Sequence, residues 1–285
     1  MRAVESRILK PVLAVYVGLF LLFLYGPFIV LGILSFQQGP EGGPQFPIVQ
    51  WSVFWYQHIL GLAPPSRVAP LPIGIALFRS LTLAFMTMVT STVLGVMAAQ
   101  AFRYSFRGKN LVFYLIVLGM IVPGVLVGLG SALVATTTGI ERHWWSTAYA
   151  THVVYTLPFA FLVMLAIFNR FDGSVEEASW SLGVPPATTF RKVTFPLIFP
   201  GVLSAMLFAF TLSYDEFSRT LFSSGREQTL PLAIYSTFAV EIHPNVFAFG
   251  VLTTLFSFAL LAVYAILMTL SVRRARRIAI QEAIG

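Results

Sequence analysis

The chain has 285 residues, 57% of them hydrophobic and 10% charged, with a formal net charge of +7. Soluble globular domains carry about 25% charged residues, so too few charges are present to cover a water-facing surface and a lipid bilayer is the expected solvent. The positive charges stand in short clusters between apolar runs, which points to membrane topology and away from nucleic acid, and the absence of Cys excludes disulfides and thiolate metal sites.

Six apolar stretches are long enough for the about 20 residues a helix needs to cross hydrocarbon. In chain order they predict spans near 12–36, 73–102, 111–135, 147–168, 201–223 and 246–271. The expected fold class is therefore all-α and integral to the membrane, with six transmembrane helices. The leading span is longer than the 7–15 apolar residues typical of a signal peptide, and no A-x-A site follows, so it reads as an anchor. Between the first two spans, residues 42–66 are broken by Pro, Gly and Gln. They carry Trp51, Trp55 and Tyr56, which suits an outer loop with a short interfacial amphipathic piece. Pro123-Gly124 and Pro158 interrupt spans three and four, either kinking them or freeing carbonyls that line a pathway, the kink being the expected outcome, and His152 reads as a packed or interfacial residue. The domain reading is an N-terminal helix and external loop over 1–72, a core of five spans over 73–272 and a basic tail over 273–285.

Lys and Arg set the orientation. With the N-terminus inside, the inner segments hold Arg2, Arg7, Lys10, Arg103, Arg107, Lys109, Arg170, Arg191, Lys192, Arg273, Arg274, Arg276 and Arg277. The outer side holds Arg67, Arg79, Arg142, Arg219 and Arg226. This positive-inside bias predicts a multi-pass protein of the cytoplasmic membrane with both termini cytoplasmic.

The inner connection between spans four and five, Asn169 to Pro200, is the most patterned segment. Ser174 followed by Glu177 matches a capping box, and Glu176 and Glu177 sit where a helix dipole favours negative charge. Gly183 supplies a left-handed end, and Pro185-Pro186 block continuation. A two-turn helix over about 175–182 follows, with Val175, Ala178, Ser179 and Leu182 on one small apolar face. A second helical stretch runs from Thr188 to Phe195.

This segment resembles a motif of the permease subunits of binding-protein-dependent ABC importers. That motif reads EAA, three residues, Gly, nine residues, then I-x-L-P. Here Glu177-Ala178-Ser179 is followed at the same spacing by Gly183 and by Val193-Thr194-Phe195-Pro196. Ser179, Val193 and Phe195 are conservative departures. The stretch from about Arg79 to Thr269 is similar to the whole core of type I importer permeases. SYDEFSRTLFSSGREQTLPLAIYS (213–236) and YGPFIVLGILSF (25–36) resemble the spermidine/putrescine permeases.

The resemblance implies that the 175–182 helix is a coupling helix, with Glu176, Glu177, Ala178, Ser179, Leu182, Gly183, Val193 and Pro196 contributing to its contact with an ATPase. It also implies alternating access, a second permease (by that resemblance a distinct paralogue), two ATPase subunits and an external solute-binding protein, besides surrounding lipid. No cofactor is expected on this chain; ATP and Mg belong to the partner ATPase. The residues agree, because a phosphate-binding loop needs G-x-x-x-x-G-K-[ST]. The only Gly-Lys pair, Gly108-Lys109, has Arg103 in place of the first Gly and Asn110 after it.

Asp215 and Glu216 lie in the outer half of predicted span five, next to Tyr214. Charges within a membrane are costly and mark cavities or partners. Asp215 and Arg219 stand i,i+4 and pair if helical, which leaves Glu216 without a partner on its own helix. Tyr214, Asp215 and Glu216 are the candidate substrate path, with an organic cation such as a polyamine as the expected substrate; an amino-acid-like solute, iron or an anion is the alternative. A secondary transporter would show internal repeats, and none is visible. Ala132 after Ser131 removes the G-x-S-G context of an intramembrane serine protease.

Overall fold

The computed structural model describes residues 2–39, 44–63, 73–240 and 244–284. Arg67 and the end of the 1–72 region lie outside the described residues. Among those described, the chain is helical without strands, apart from one isolated bridge between Gln37 and Trp51. It divides into two compact units, Met1–Leu71 with Ile234–Leu261, and Pro72–Ala233 with Ala262–Gly285.

In the first unit, α1 (Arg2–Leu34) runs unbroken through Pro11 and Pro27 and, from Leu9 onward, exposes apolar side chains all round. The chain then turns into α2 (Phe54–Ile59). Trp55 was expected at an interface but is fully buried, its indole N–H donating to the Gln38 carbonyl at 3.2 Å, while Trp51 stays 68% exposed.

The second unit holds α3 (Ile73–Ala101), α4 (Lys109–Ile121), α5 (Gly124–Thr138) and α6 (Tyr149–Asn169), the last preceded by a π-helical turn Trp144–Ala148. After these come α7 (Ser174–Ser181), α8 (Pro186–Thr189), a π turn Phe190–Thr194, α9 (Phe195–Tyr214) and α10 (Thr220–Ser223). The remaining helices, α11 (Leu230–Val240) and α12 (Pro244–Ile284), each include residues of both units, and α12 continues through the basic stretch 273–277.

Helices α3, α6 and α9 form the centre of this unit through small side chains. A Cβ added at Gly95 would stand 2.9 Å from the backbone of Ala160, so α3 and α6 touch almost backbone to backbone. Close approach through small residues is how helices associate where lipid removes the hydrophobic drive. Phe161, Met164 and Ile198 fill the core beside them. The polarity is inside out: Thr87, Ser91, His152 and Thr156 are buried, while Phe78, Phe85, Met97, Leu111 and Leu133 are exposed. Ser91 and Thr156 satisfy each other at 2.7 Å. A polar inside under an apolar surface is what a bilayer solvent requires.

Among the described residues, five helices are long and apolar enough to span a membrane, and a sixth span arises if α4 and α5 are one broken crossing, bent by 100°. The expected kink at Pro123-Gly124 is thus a full break: Val122 is extended (φ −64°, ψ 128°) because a residue before Pro is pushed out of the helical region. Pro158, by contrast, stays inside continuous α6. Predicted span five also shifts. The helix crosses Pro196 and Pro200 without interruption, runs from Pro186 to Tyr214 and ends nine residues before the expected limit at 223.

Candidate functional site

Two polar constellations stand at opposite ends of the α3–α6–α9 bundle. The first is built on α7. Asp172 starts this helix, its carboxylate accepting from the Ser174 N–H at 3.0 Å, and Gly173 is the N-cap. This corrects the expected capping box: the Ser174 side chain makes no cap bond and Glu177 is exposed. An Asp two residues ahead of a free N–H forms the shorter, local ring. Accepting that N–H holds the Asp172 carboxyl below its usual range.

The other end of α7 matches the expectation. Gly183 has φ +79°, its N–H donates to the Trp180 carbonyl at 2.9 Å, and the Val184 N–H donates to the Ser179 carbonyl at 3.2 Å. These are the two bonds of a Schellman end. Pro185 and Pro186 then open α8 as its cap and first residue.

Around α7 the expected face splits. Val175 (41% exposed), Ala178 and Leu182 (83% exposed) point outward, whereas Ser179 turns in and shares a 2.9 Å hydrogen bond with Thr189. Val193 is half-buried and Pro196 exposed at the start of α9.

Glu176 points inward, and its side chain is 6% exposed. Its two oxygens accept from both terminal nitrogens of Arg103, at 3.1 and 2.5 Å, and Thr194 donates to the same carboxylate at 2.5 Å. The Arg103 guanidinium lies over the rings of Phe168 and Phe171, 5.4 and 5.1 Å from their centroids. The bonds to Arg103 hold the Glu176 carboxyl below its usual range, and the same bond raises Arg103. A depressed carboxyl contributes its stability fully above the ordinary Glu range of about 4.3 and loses it only as pH falls below that, toward the folded value. The pair is therefore charged throughout the physiological range. Sequence reasoning grouped Glu176 with Glu177. Residues one apart on a helix differ by about 100° in direction, which was the available sign that only one of them faces out.

The second constellation lies beyond the end of α9. Asp215 is the C-cap, residues 216–219 leave the helix, and α10 follows. The helical i,i+4 pairing of Asp215 with Arg219 therefore does not form. Glu216 pairs with Arg219 instead, accepting from its backbone N–H and from Nη1, both at 2.9 Å. Both side chains are under 9% exposed. The guanidinium sits 3.7 Å from the centroid of Tyr155. Gly124 of α5 approaches the guanidinium, a Cβ there standing 2.9 Å from Nη1, and Gly128 approaches the backbone, a Cβ there standing 2.7 Å from the Arg219 carbonyl oxygen. His152 is buried, its ring nitrogens each 2.7 Å from the hydroxyls of Ser213 and Thr220. Tyr214 is buried and stacked on Phe210, and Asp215 is exposed. Farther out, Glu227 joins Arg79 (3.4 Å) and His143 (3.0 Å), contacts between residues too far apart in sequence to be read there.

Membrane-length helices that bury hydroxyls and ion pairs beneath an apolar surface define an integral membrane protein. The model of the binding-protein-dependent transport system inner membrane component matches residues 91–277, and the chain belongs to this family. The spermidine/putrescine transport system permease protein PotC of Haemophilus influenzae is 30% identical over 243 residues, 84% of this chain and 89% of that protein. The putrescine transport system permease protein PotI of Escherichia coli K12 is 29% identical over 238 residues, 81% of each. Among solved structures, a bacterial alginate ABC transporter in complex with an alginate pentasaccharide-bound periplasmic protein aligns over 96% of each chain, with TM-score 0.67 and 15% identity. The inward-facing methionine transporter MetNI gives 0.51 over 72% of this chain and 94% of that one, at 16% identity. The fold is that of ABC importer permeases.

Proposed function

We propose that this permease subunit forms half of an importer pore for polyamines, or organic cations close to them, in the cytoplasmic membrane. The observation that carries the substrate class is the similarity to PotC and PotI across more than four-fifths of the chain. In this reading both termini and α7 face the cytoplasm, as the distribution of Lys and Arg favours. The outward face of α7 (Val175, Ala178, Leu182), with Glu177, docks on one of two ATPase subunits. ATP and Mg are bound there and not on this chain. A second permease, distinct from this one, completes the pore, and an external binding protein delivers the solute.

The charge available to a cation is Asp215. Glu216 is already neutralised by Arg219, whereas Asp215 has no ion-pair partner among the described residues and is exposed. An exposed, unneutralised carboxylate attracts cations and repels anions. Asp215→Asn isolates this effect, because Glu216→Gln would strand a buried Arg219 at a cost of about 3–5 kcal/mol. Labelled spermidine uptake by the assembled transporter should fall at least several-fold in Asp215→Asn with ATPase activity retained. Wild-type uptake in that variant removes Asp215 from the path, and preferential transport of an anion overturns the substrate class.

A further inference from the structure

We propose that the Arg103–Glu176–Thr194 junction passes movement of α7 to the bundle, so that Glu176 and Arg103 are positioning residues for the coupling of ATP hydrolysis to transport. This rests on the reading that α7 docks on an ATPase. Three contacts meet at one carboxylate. Glu176 is in the first turn of α7, Arg103 stands two residues past the end of α3, and Thr194 ends the π turn that feeds directly into α9. Arg103 also covers Phe168, near the end of α6, and Phe171 just beyond it. A push on α7 therefore meets α3, α6 and α9 at a single charged point.

Two features make this point stiff. The Arg–carboxylate contact is two-pronged, which fixes angle as well as distance, and both groups are largely removed from water, where charge pairing is least screened. Each charge also suits its helix end: an acid at the start of α7, a cation just past the end of α3. The rest of α7 holds on weakly, since Val175, Ala178 and Leu182 face outward and Ser179 offers one hydroxyl contact. Without Glu176, α7 would swing on its two ends, and a push from outside would bend the loop before it moved α3.

The test uses the complete transporter in proteoliposomes with Glu176→Gln, Arg103→Met and the charge-keeping Arg103→Lys. Uptake per ATP hydrolysed by the assembled complex should fall about tenfold in the first two and less in Arg103→Lys, even where stranding one member of the buried pair lowers complex recovery. A purely structural role would lower recovery and hydrolysis together and leave uptake per ATP unchanged, which would overturn the proposal. The chain has no Cys, so spin labels at Tyr104→Cys and Ser181→Cys, both exposed, report the α3–α7 distance without reference to substrate. That distance should be narrow in the otherwise wild-type chain and broad in Glu176→Gln; equal widths would also overturn the proposal. Should Glu176→Gln fail to assemble, the milder Thr194→Val decides: reduced uptake per ATP supports the junction, unchanged uptake per ATP sinks it. Failure of the wild type to carry polyamines, with the label result intact, would count against the substrate and not against the junction.

Discussion

At Gly183 the backbone has φ +79°, yet nothing lies within 4 Å of where a Cβ would stand. The position demands a left-handed backbone and leaves space free, so a side chain is excluded by conformation alone. A β-branched residue there should cost about 1–2 kcal/mol and unwind the last turn, tilting Leu182 away from its docking direction. Gly183→Val should reduce ATPase recovery with the purified complex and slow uptake while membrane insertion is unchanged. Normal recovery and uptake would show that the turn is dispensable. This glycine was legible in the sequence because two prolines follow it. The start of the same helix was misread because Ser174 and Glu177 fit a template while Asp172 sits closer to the free N–H. The acids after Tyr214 were misread for a related reason: i,i+4 arithmetic assumes a helix, and the chain leaves the helix at Asp215, which exchanges the partners of Arg219.

At the scale of elements, the segments were legible and their interruptions were not. Hydropathy located every long helix, since lipid rewards apolar length irrespective of partner. Whether a proline breaks or merely sits in a helix depends on what re-satisfies the freed backbone groups. Pro158, buried in α6, lies against Gly119 of α4, where an added Cβ would stand 3.4 Å from its ring, whereas Pro123 is exposed and the chain turns through 100°. The break brings α5 against the 216–223 segment through Gly124 and Gly128. A methyl at Gly128 would stand 2.7 Å from a backbone oxygen that has no rotamer to escape into. Gly128→Ala should therefore destabilise the detergent-solubilised protein by about 1–3 kcal/mol, read as a lower thermal unfolding temperature. Gly130→Ala, with nothing within 4 Å, serves as the control. Equal unfolding temperatures for the two variants would mean that α5 packs elsewhere.

For the molecule as a whole, composition alone indicated the solvent, and the Lys and Arg distribution favours α7 at the inner end and Asp215 at the outer end. The two ends are joined by α3, whose head carries Arg79 bound to Glu227 and whose exit carries Arg103 bound to Glu176. Such long-range pairs were invisible in the sequence because nothing local records which helix ends will meet. They anchor α3, with α6 and α9 packed on it, at the end that would receive solute and at the end that would receive force. In the function proposed above, α3 belongs to a pore driven by ATP. That function is tested most directly by labelled spermidine uptake into proteoliposomes holding the chain with its partner permease, ATPases and binding protein. Uptake is expected only when ATP is enclosed with the ATPases and loaded binding protein is present on the opposite side. Uptake that proceeds without ATP and follows an imposed ion gradient would contradict it.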